Sequence, residues 1–352
     1  MAFFGQSKPS YLGIDFGGGG VKVVELMNEK GRARLMTYAF VDRPVDEMTR
    51  NYIDDTQGTA ELLKKMLKKA KTTSRKAVSA LPISSVFSSI ISVQKTAKKE
   101  ELEQAVMWQA KKLIPLPIEE MTVDWKPITI GPQSPDDKYV QVLLTGAAKS
   151  LIKKYADIFA AAGLELTSLE TEALAIIRSL IGRDKSPTLV LDIGTLRTNI
   201  LIVENGVPFV SRSVGLGGLT VTKEMSVAMG MPEEQAESMK IDSASMASMY
   251  NAGFPKLFEK VLAPILTEIT YSTNLFLGQK ANQDKRLDKI ILTGGGALLP
   301  QLADYLTKAM NLRVYIGDPW ARVVYPEALR PVLNQIGSRF GVSVGLAMRD
   351  ID

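Results

Sequence analysis

Apolar and polar positions along the chain switch between two periods. Residues 11–26 read Tyr-Leu-Gly-Ile-Asp-Phe, four glycines, then Val-Lys-Val-Val-Glu-Leu. Two apolar runs joined by a glycine turn predict a β-hairpin. Residues 59–70 place Leu62, Leu63, Met66 and Leu67 on one helical face. Strands are predicted at 76–81 and 85–93, on either side of Pro82. A helix is predicted at 99–113, with Glu100, Glu101 and Glu103 in its first turn, where the helix dipole favours negative charge. Pro115 and Pro117 stop it. Residues 121–130 and 139–147 read as paired strands around the loop 131–137, Gly-Pro-Gln-Ser-Pro-Asp-Asp. A helix at 150–162 ends at Gly163, a strand follows at 164–169, and a helix at 172–181.

The opening pattern then returns. Residues 188–203 read Thr-Leu-Val-Leu-Asp-Ile-Gly-Thr-Leu-Arg-Thr-Asn-Ile-Leu-Ile-Val. Set beneath 11–26, Asp192 falls under Asp15 and Gly194 under Gly17. A single repetition about half a chain apart predicts two related lobes rather than a solenoid. Residues 207–214 continue the second sheet, and Gly217-Gly-Leu-Thr220 leads into a helix. Further helices are predicted at 233–240 and 254–277. A buried strand at 290–293 runs into Gly294-Gly295-Gly296 and a helix at 299–310. A strand at 314–316 follows, and the helix at 340–347 carries small residues on one side, suited to close packing. This alternation predicts an α/β class with mixed α+β sheets.

Composition narrows the chemistry. The 352 residues suggest two domains or one two-lobed body. There is no cysteine and no histidine, which excludes disulfides, Cys/His zinc sites and nucleophilic triads based on histidine. Carboxylates, hydroxyls, lysines, backbone amides and oxygen-bound metals such as Mg²⁺ remain. No apolar run approaches the ~20 residues of a membrane span, and Met-Ala-Phe-Phe-Gly is no signal peptide, so a cytoplasmic location is expected. Phe3 and Phe4 are expected to pack on the body or stay disordered. Lys64, Lys65, Lys68, Lys69, Lys71, Arg75 and Lys76 form a basic run. It reads as a solvated helix face, with an acidic membrane or acidic partner as the sharper alternative. Without interleaved aromatics it is no nucleic-acid platform.

Three loops carry the candidate chemistry: 15–20, 192–199 and 294–296. Glycine lets the backbone turn sharply and bring its amides to phosphate oxygens. An aspartate at the end of a buried strand, ahead of such a turn, is placed to hold Mg²⁺ directly or through water. The third loop is expected to enter a helix whose amides favour an anion or a ribose hydroxyl. Together they predict a nucleotide cleft between lobes. No Walker A sequence is present, and the first glycine run opens into a strand, which excludes a Rossmann turn.

These motifs resemble the actin-like ATPase superfamily, a duplicated, ribonuclease H-like two-lobe fold. Within it, nearly the whole chain is similar to the PilM family of type IV pilus assembly proteins, relatives of FtsA. Residues 12–26 resemble the family's first phosphate motif, 191–195 the second, 293–300 the adenosine motif and 341–349 its C-terminal segment. The resemblance implies Mg²⁺ and ATP as cofactors. Asp15 and Asp192 would face the metal and phosphates. Gly17, Gly18, Gly19, Gly20, Gly194 and Thr195 would bind phosphate. Gly294, Gly295 and Gly296 would line adenosine, with Glu237 and Lys240 at the ribose or base. Lys22 leaves the first loop and either neutralises phosphate or faces solvent. Glu170 and Glu172 are candidates for orienting the attacking water, and Glu172 is preferred.

Two departures bear on turnover. The family's first loop usually offers hydroxyl side chains where this chain has glycine at 18–20, and Leu196 and Arg197 are bulkier than the second loop's usual residues. Phosphoryl transfer depends on positioning, so nucleotide binding is expected more than efficient hydrolysis, at most a slow ATPase. The resemblance also implies subdomain 1A at 1–76, an inserted subdomain 1C at 77–165, a return to 1A with the interlobe connection at 166–186, lobe II at 187–335, and a C-terminal segment at 336–352 packing back on lobe I. It implies a scaffold at the cytoplasmic face of the inner membrane. The scaffold would bind the N-terminal peptide of a PilN-like inner-membrane protein in a groove between 1A and 1C, with other pilus assembly proteins and self-association as further contacts. An FtsA- or MreB-like filament protein and a small-molecule kinase are the alternatives. FtsA-like chains usually end in a linker and an amphipathic helix, and the end at Asp352 favours the pilus reading.

Overall fold

The structure is a computed structural model that describes residues 9–96, 98–129, 138–242, 256–279 and 282–351. The expectations for Phe3, Phe4 and the 131–137 loop lie outside these residues. Strands β1 (Ser10–Gly17), β2 (Gly20–Glu29) and β3 (Arg32–Asp42) form an antiparallel meander. Helix α1 (Thr56–Ala70) returns the chain to β4 (Lys76–Leu81), parallel to β1. Next come β5 (Val86–Gln94), α2 (Lys99–Leu113), β6 (Met121–Ile128), β7 (Tyr139–Ala148) and α3 (Lys149–Ala161). They lead to β8 (Glu165–Thr171), parallel to β4, and to α4 (Glu172–Ile176), whose last turn widens into a π-turn at Ile177–Ile181.

The second half repeats the plan. Strands β9 (Thr188–Ile193), β10 (Thr198–Glu204) and β11 (Val207–Val214) form the meander. Helices α5 (Gly218–Met229), α6 (Glu233–Ile241) and α7 (Lys256–Leu277) precede β12 (Lys289–Thr293), parallel to β9. Helix α8 (Leu302–Met310) and β13 (Arg313–Ile316) complete this half. The chain then crosses back through β14 (Val323–Val324), α9 (Arg330–Ile336) and α10 (Gly341–Ala347). The sheet orders are β14-β3-β2-β1-β4-β8 and β11-β10-β9-β12-β13, with a separate β5-β7-β6 sheet. Omitting β14, the two large sheets have the same five-strand topology, so the repeat seen in the sequence is a repeat of architecture.

Each sheet buries its apolar face against helices. Leu12 and Ile14 of β1 pack with Leu63 and Met66 of α1 and Ile158 and Phe159 of α3. Leu191, Ile200 and Leu292 pack with Leu262, Ile265 and Ile269 of α7. The small sheet is covered by Val106 and Ala110 of α2. Full burial of each large side chain contributes roughly 1.5–3 kcal/mol. The opposite face of β1 meets α10, whose glycines and small residues allow near-backbone contact. A Cβ at Gly13 would lie 2.0 Å from the Ser343 carbonyl oxygen, and one at Gly345 would lie 1.9 Å from that of Ala175.

Strand β3 was not among the predicted elements, nor were β14 and α9. Arg32 and Arg34 of β3 alternate with buried Ala33 and Leu35, so its apolar signal is thin. The third glycine loop does not open directly into a helix. A 3₁₀ turn occupies Gly295–Leu298, and α8 starts only at Leu302.

Gly345→Ala is expected to cost about 1–3 kcal/mol, because the added methyl meets backbone that must shift. Gly215→Ala, where no atom lies within 4 Å of the added Cβ, should leave the denaturant midpoint unchanged. Equal midpoints for the two variants would refute this packing account.

A carboxylate-lined cleft between the hairpins

Parallel strands β1 and β4 in one half, and β9 and β12 in the other, direct their C-terminal ends toward one region. In open sheets of this kind, ligands bind beyond those ends. Asp15 is directly opposite Lys22 across the first hairpin, and Lys22 Nζ lies 3.5 Å from Asp15 Oδ2. The alternation left Lys22 open between cleft and solvent. The structure turns it to the Asp15 side, where a Cβ on Gly17 would be 2.8 Å from its ammonium.

In the second hairpin Asp192 pairs with Asn199. Asn199 Nδ2 donates to Asp192 Oδ2 and to Glu172 Oε2, each at 3.1 Å. The Ile83 amide also donates to Glu172 Oε2, at 3.1 Å. Glu170, the other candidate, is held by Arg178 through bonds of 2.7 and 2.9 Å. Geometry therefore separates the two glutamates: Glu170 serves an ion pair and Glu172 faces the aspartates.

The grouping shows in the acidities. Burial, with help from the charges of Asp192 and Asp15, pushes Glu172 up to about 8. Burial and the Asp15 charge push Asp192 up to about 6, against the opposing Asn199 hydrogen bond. Both residues are only partly exposed, and protein packed around them excludes most of the water that would solvate their charge.

The two phosphate-type loops touch. A Cβ at Gly18 would lie 2.7 Å from Leu196 Cγ, and one at Gly19 would lie 2.3 Å from Thr195 Oγ1. The bulk in the second loop thus occupies the space that the first loop's missing side chains would fill. Leu196 also packs against Val45, Met48 and Leu219, and Arg197 Nη1 donates to Ser84 Oγ. The α5 start backs this loop: Gly218 N donates to Gly194 O at 2.9 Å, and Leu219 N to Thr195 O at 2.8 Å.

The remaining expected residues are distributed around this centre. Gly294, with φ +82°, turns over Asp192, and a Cβ there would lie 2.7 Å from Asp192 Oδ1. Gly296 packs on Ile193, while Gly295 has open space beside it. Glu237 and Lys240 are 2.6 Å apart, and Lys240 Nζ also donates to Gly218 O at 2.9 Å and to Thr222 Oγ1 at 2.7 Å. They therefore brace α6 to the start of α5 behind Gly194 and Thr195. Burial lowers the Lys240 pKa, opposed by Glu237. Gly20, at φ +148°, closes against the Val41 carbonyl, where no side chain fits.

Asn199 was missed as a site residue, although the sequence held a signal for it. The same shift that lays Asp192 on Asp15 lays Asn199 on Lys22. No cluster of three or more metal-ligating side chains is present among the described residues. Asp15 and Asp192, one from each hairpin, are the carboxylates that would hold a cation here. The donor set fits: carboxylates crowded into low dielectric call for positive charge. Asn199 Oδ1 is also buried with no donor among the described residues.

The duplicated sheets, the paired Asp-x-Gly hairpins and the glycine loop after β12 define an actin-like two-lobed protein. The chain belongs to the PilM family: the family model for type IV pilus assembly protein PilM matches residues 13–351. The structure is similar to one titled PilM-PilN type IV pilus biogenesis complex, with TM-score 0.82, 26% identity, and coverage of 97% of this chain and 98% of that one. It shares its fold with MreB 5 of Spiroplasma citri bound to AMPPNP, at TM-score 0.51, 14% identity, and coverage of 97% and 95%. Among curated relatives, the cell division protein FtsA of Neisseria meningitidis serogroup B (strain ATCC BAA-335 / MC58) is 25% identical over 225 residues, 58% of this chain and 52% of the relative. That of Bacillus subtilis (strain 168) is 23% identical over 201 residues, 50% of this chain and 44% of the relative. The match spans about half the length of those curated relatives.

The raised Glu172 pKa has a pH consequence for the nucleotide-free protein. Between about 4.5 and about 8 the folded state holds a proton that the unfolded chain has released. Stability from this residue therefore falls as pH rises through that window. Glu172→Gln should flatten the decline of folding free energy between pH 5 and pH 8, measured by denaturant titration. An unchanged slope would show that Glu172 does not carry it.

Proposed function

We propose that this chain is a nucleotide-binding scaffold of type IV pilus assembly that holds Mg-ATP between its two hairpins. It grips the N-terminal cytoplasmic peptide of a PilN-like inner-membrane protein. The observation that carries the nucleotide reading is the Asp192–Asn199–Glu172 cluster facing the Asp15–Lys22 hairpin. Asp15 and Asp192 would hold the metal from opposite lobes. The amides of Gly17 to Gly20, Gly194 and Thr195 would take phosphate oxygens, with Lys22 balancing charge. Gly294 to Gly296 would border the adenosine, while Glu237 and Lys240 fix the loop behind the phosphates. Bound Mg²⁺ would supply charge neutralisation. Glu172, held by Ile83 and Asn199, would orient a water and would accept its proton only in the ionised form, which burial disfavours below about pH 8. Contact between Thr195 and Leu196 and the first loop means the loops must part to admit phosphates. That step slows entry and exit, which is consistent with slow turnover. The MreB protein of the same fold, solved bound to AMPPNP, supports the ligand class.

The peptide reading rests on the similarity to the PilM-PilN complex and on an apolar crevice between the small sheet and the body. Ile83, Val86, Leu143, Ala173, Leu174 and Pro208 contribute to its lining. Ser88, Thr145, Thr171 and Ser211 complete the lining, and the enclosed volume of about 20 Å³ would admit a peptide side chain only if its walls parted. No helix among the described residues is long and apolar enough to cross a membrane. The reading therefore places the protein peripherally, at the cytoplasmic face of the inner membrane, through its partner.

Isothermal titration with Mg-ATP should show binding to the parent protein and a loss of at least tenfold for Asp192→Asn. Equal affinity would remove Asp192 from the site. Glu172→Gln should retain binding and lose what phosphate release the parent shows; undiminished release would assign the water to another group. Capture of the PilN-like N-terminal peptide by the folded, ATP-loaded protein is the test of the scaffold role, and absence of capture would overturn it.

A further inference from the structure

The basic run that the nucleotide and peptide sites leave unused forms part of a larger surface. Strand β1 runs from Ser10 toward the glycine loop, and β4 and β8 run parallel to it. The starts of these strands and the β2–β3 turn therefore share the pole of lobe I opposite the cleft. Glu25, fully buried, straps residues 73–74 to this end by accepting from Thr73 N at 2.9 Å, Ser74 N at 3.0 Å and Ser10 Oγ at 2.9 Å. Thr37 Oγ1 donates to Ala70 O at 2.9 Å, and Arg75 Nη1 to Gly163 O at 3.1 Å. These bonds hold the α1 exit against β1, β2 and β3, on the pole where the β2–β3 turn also lies.

Lys30, Arg32, Lys68, Lys69, Lys71 and Lys76 are all exposed on this pole and form no ion pair among the described residues. Arg34 cancels Glu29 at 2.9 Å. With Arg75 added and Glu25 and Glu165 subtracted, the pole carries +5, which equals the net charge of the entire chain. The charges of the rest of the chain therefore sum to zero.

We propose that this pole is an electrostatic docking surface for an anionic lipid bilayer. The cations come from a helix exit, a hairpin turn and a strand start, so they form a face rather than a groove. A bilayer needs charge on such a face and no shaped pocket. Base recognition would need stacking side chains, and none is interleaved with these lysines. The docking is independent of the peptide reading, because it uses none of the crevice residues.

The test is co-sedimentation of the full chain with vesicles of phosphatidylcholine alone and of phosphatidylcholine with phosphatidylglycerol at 70:30, at 50 and 300 mM salt. The parent should partition onto the anionic vesicles only, and lose most of that binding at the higher salt as screening shortens the field. The triple variant Lys68→Glu/Lys69→Glu/Lys71→Glu should bind roughly a hundredfold more weakly, given how steeply lipid affinity depends on cation number. Its Mg-ATP affinity should match the parent's, and its melting temperature should fall only slightly, because glutamate is unfavourable at the C-terminal end of α1. Equal partitioning of parent and variant, absence of binding to anionic vesicles, or tighter binding to duplex DNA than to vesicles at the same salt would each overturn the proposal.

Discussion

Like charges brought together away from water set the main constraint on this molecule. Asp15, Asp192 and Glu172 come from three separate segments, and burial raises the pKa values of Glu172 and Asp192, with the charges of Asp192 and Asp15 adding to the first and that of Asp15 to the second. Such a cluster survives only where neighbours are fixed to offset it. Here they are Lys22, the Asn199 amide and the Ile83 N–H. Each offsetting group is delivered by a sheet or a turn that the fold holds rigidly. The duplicated meander places a carboxylate and its cross-strand partner at the same point in both halves, and α4 begins at the third carboxylate.

The two glycine hairpins are complementary to one another as well as to a ligand. Glycine at positions 18 and 19 leaves room for Leu196 and Thr195. Leu196 in turn ties the second loop to Val45 and Met48 from the first half and to Leu219 from the second. Small residues in one loop and bulk in the other thus share one volume across the cleft. The loops therefore rest on each other, and admission of phosphates works against a packed apolar contact.

Much of this was legible in the residue pattern. Strand 76–81 and helix 99–113 have the predicted ends, because Pro82 and Pro115 punctuate them and their apolar periods are unbroken. The repeated Asp-x-Gly hairpin gave the two-lobed plan and located both aspartates. Strand β3 stayed hidden because arginines alternate with its buried residues. The choice between Glu170 and Glu172 turned on Arg178, eight residues further on, whose guanidinium claims the first. The match of Gly18 to Leu196 joins positions half a chain apart and leaves no mark in either local motif. The 3₁₀ turn after Gly294 was likewise beyond pattern reading, since glycine permits either entry.

The turn at Ile83 and Ser84 has two sides. The Ile83 side chain lines the apolar crevice, while its amide holds the Glu172 carboxylate. Ser84 receives Arg197 from the second glycine loop. Thr171, Ala173 and Leu174, the neighbours of Glu172 in sequence, line the same crevice. The partition between crevice and cleft is thus one residue thick. Ile83 and the sequence neighbours of Glu172 thus belong to both surfaces at once.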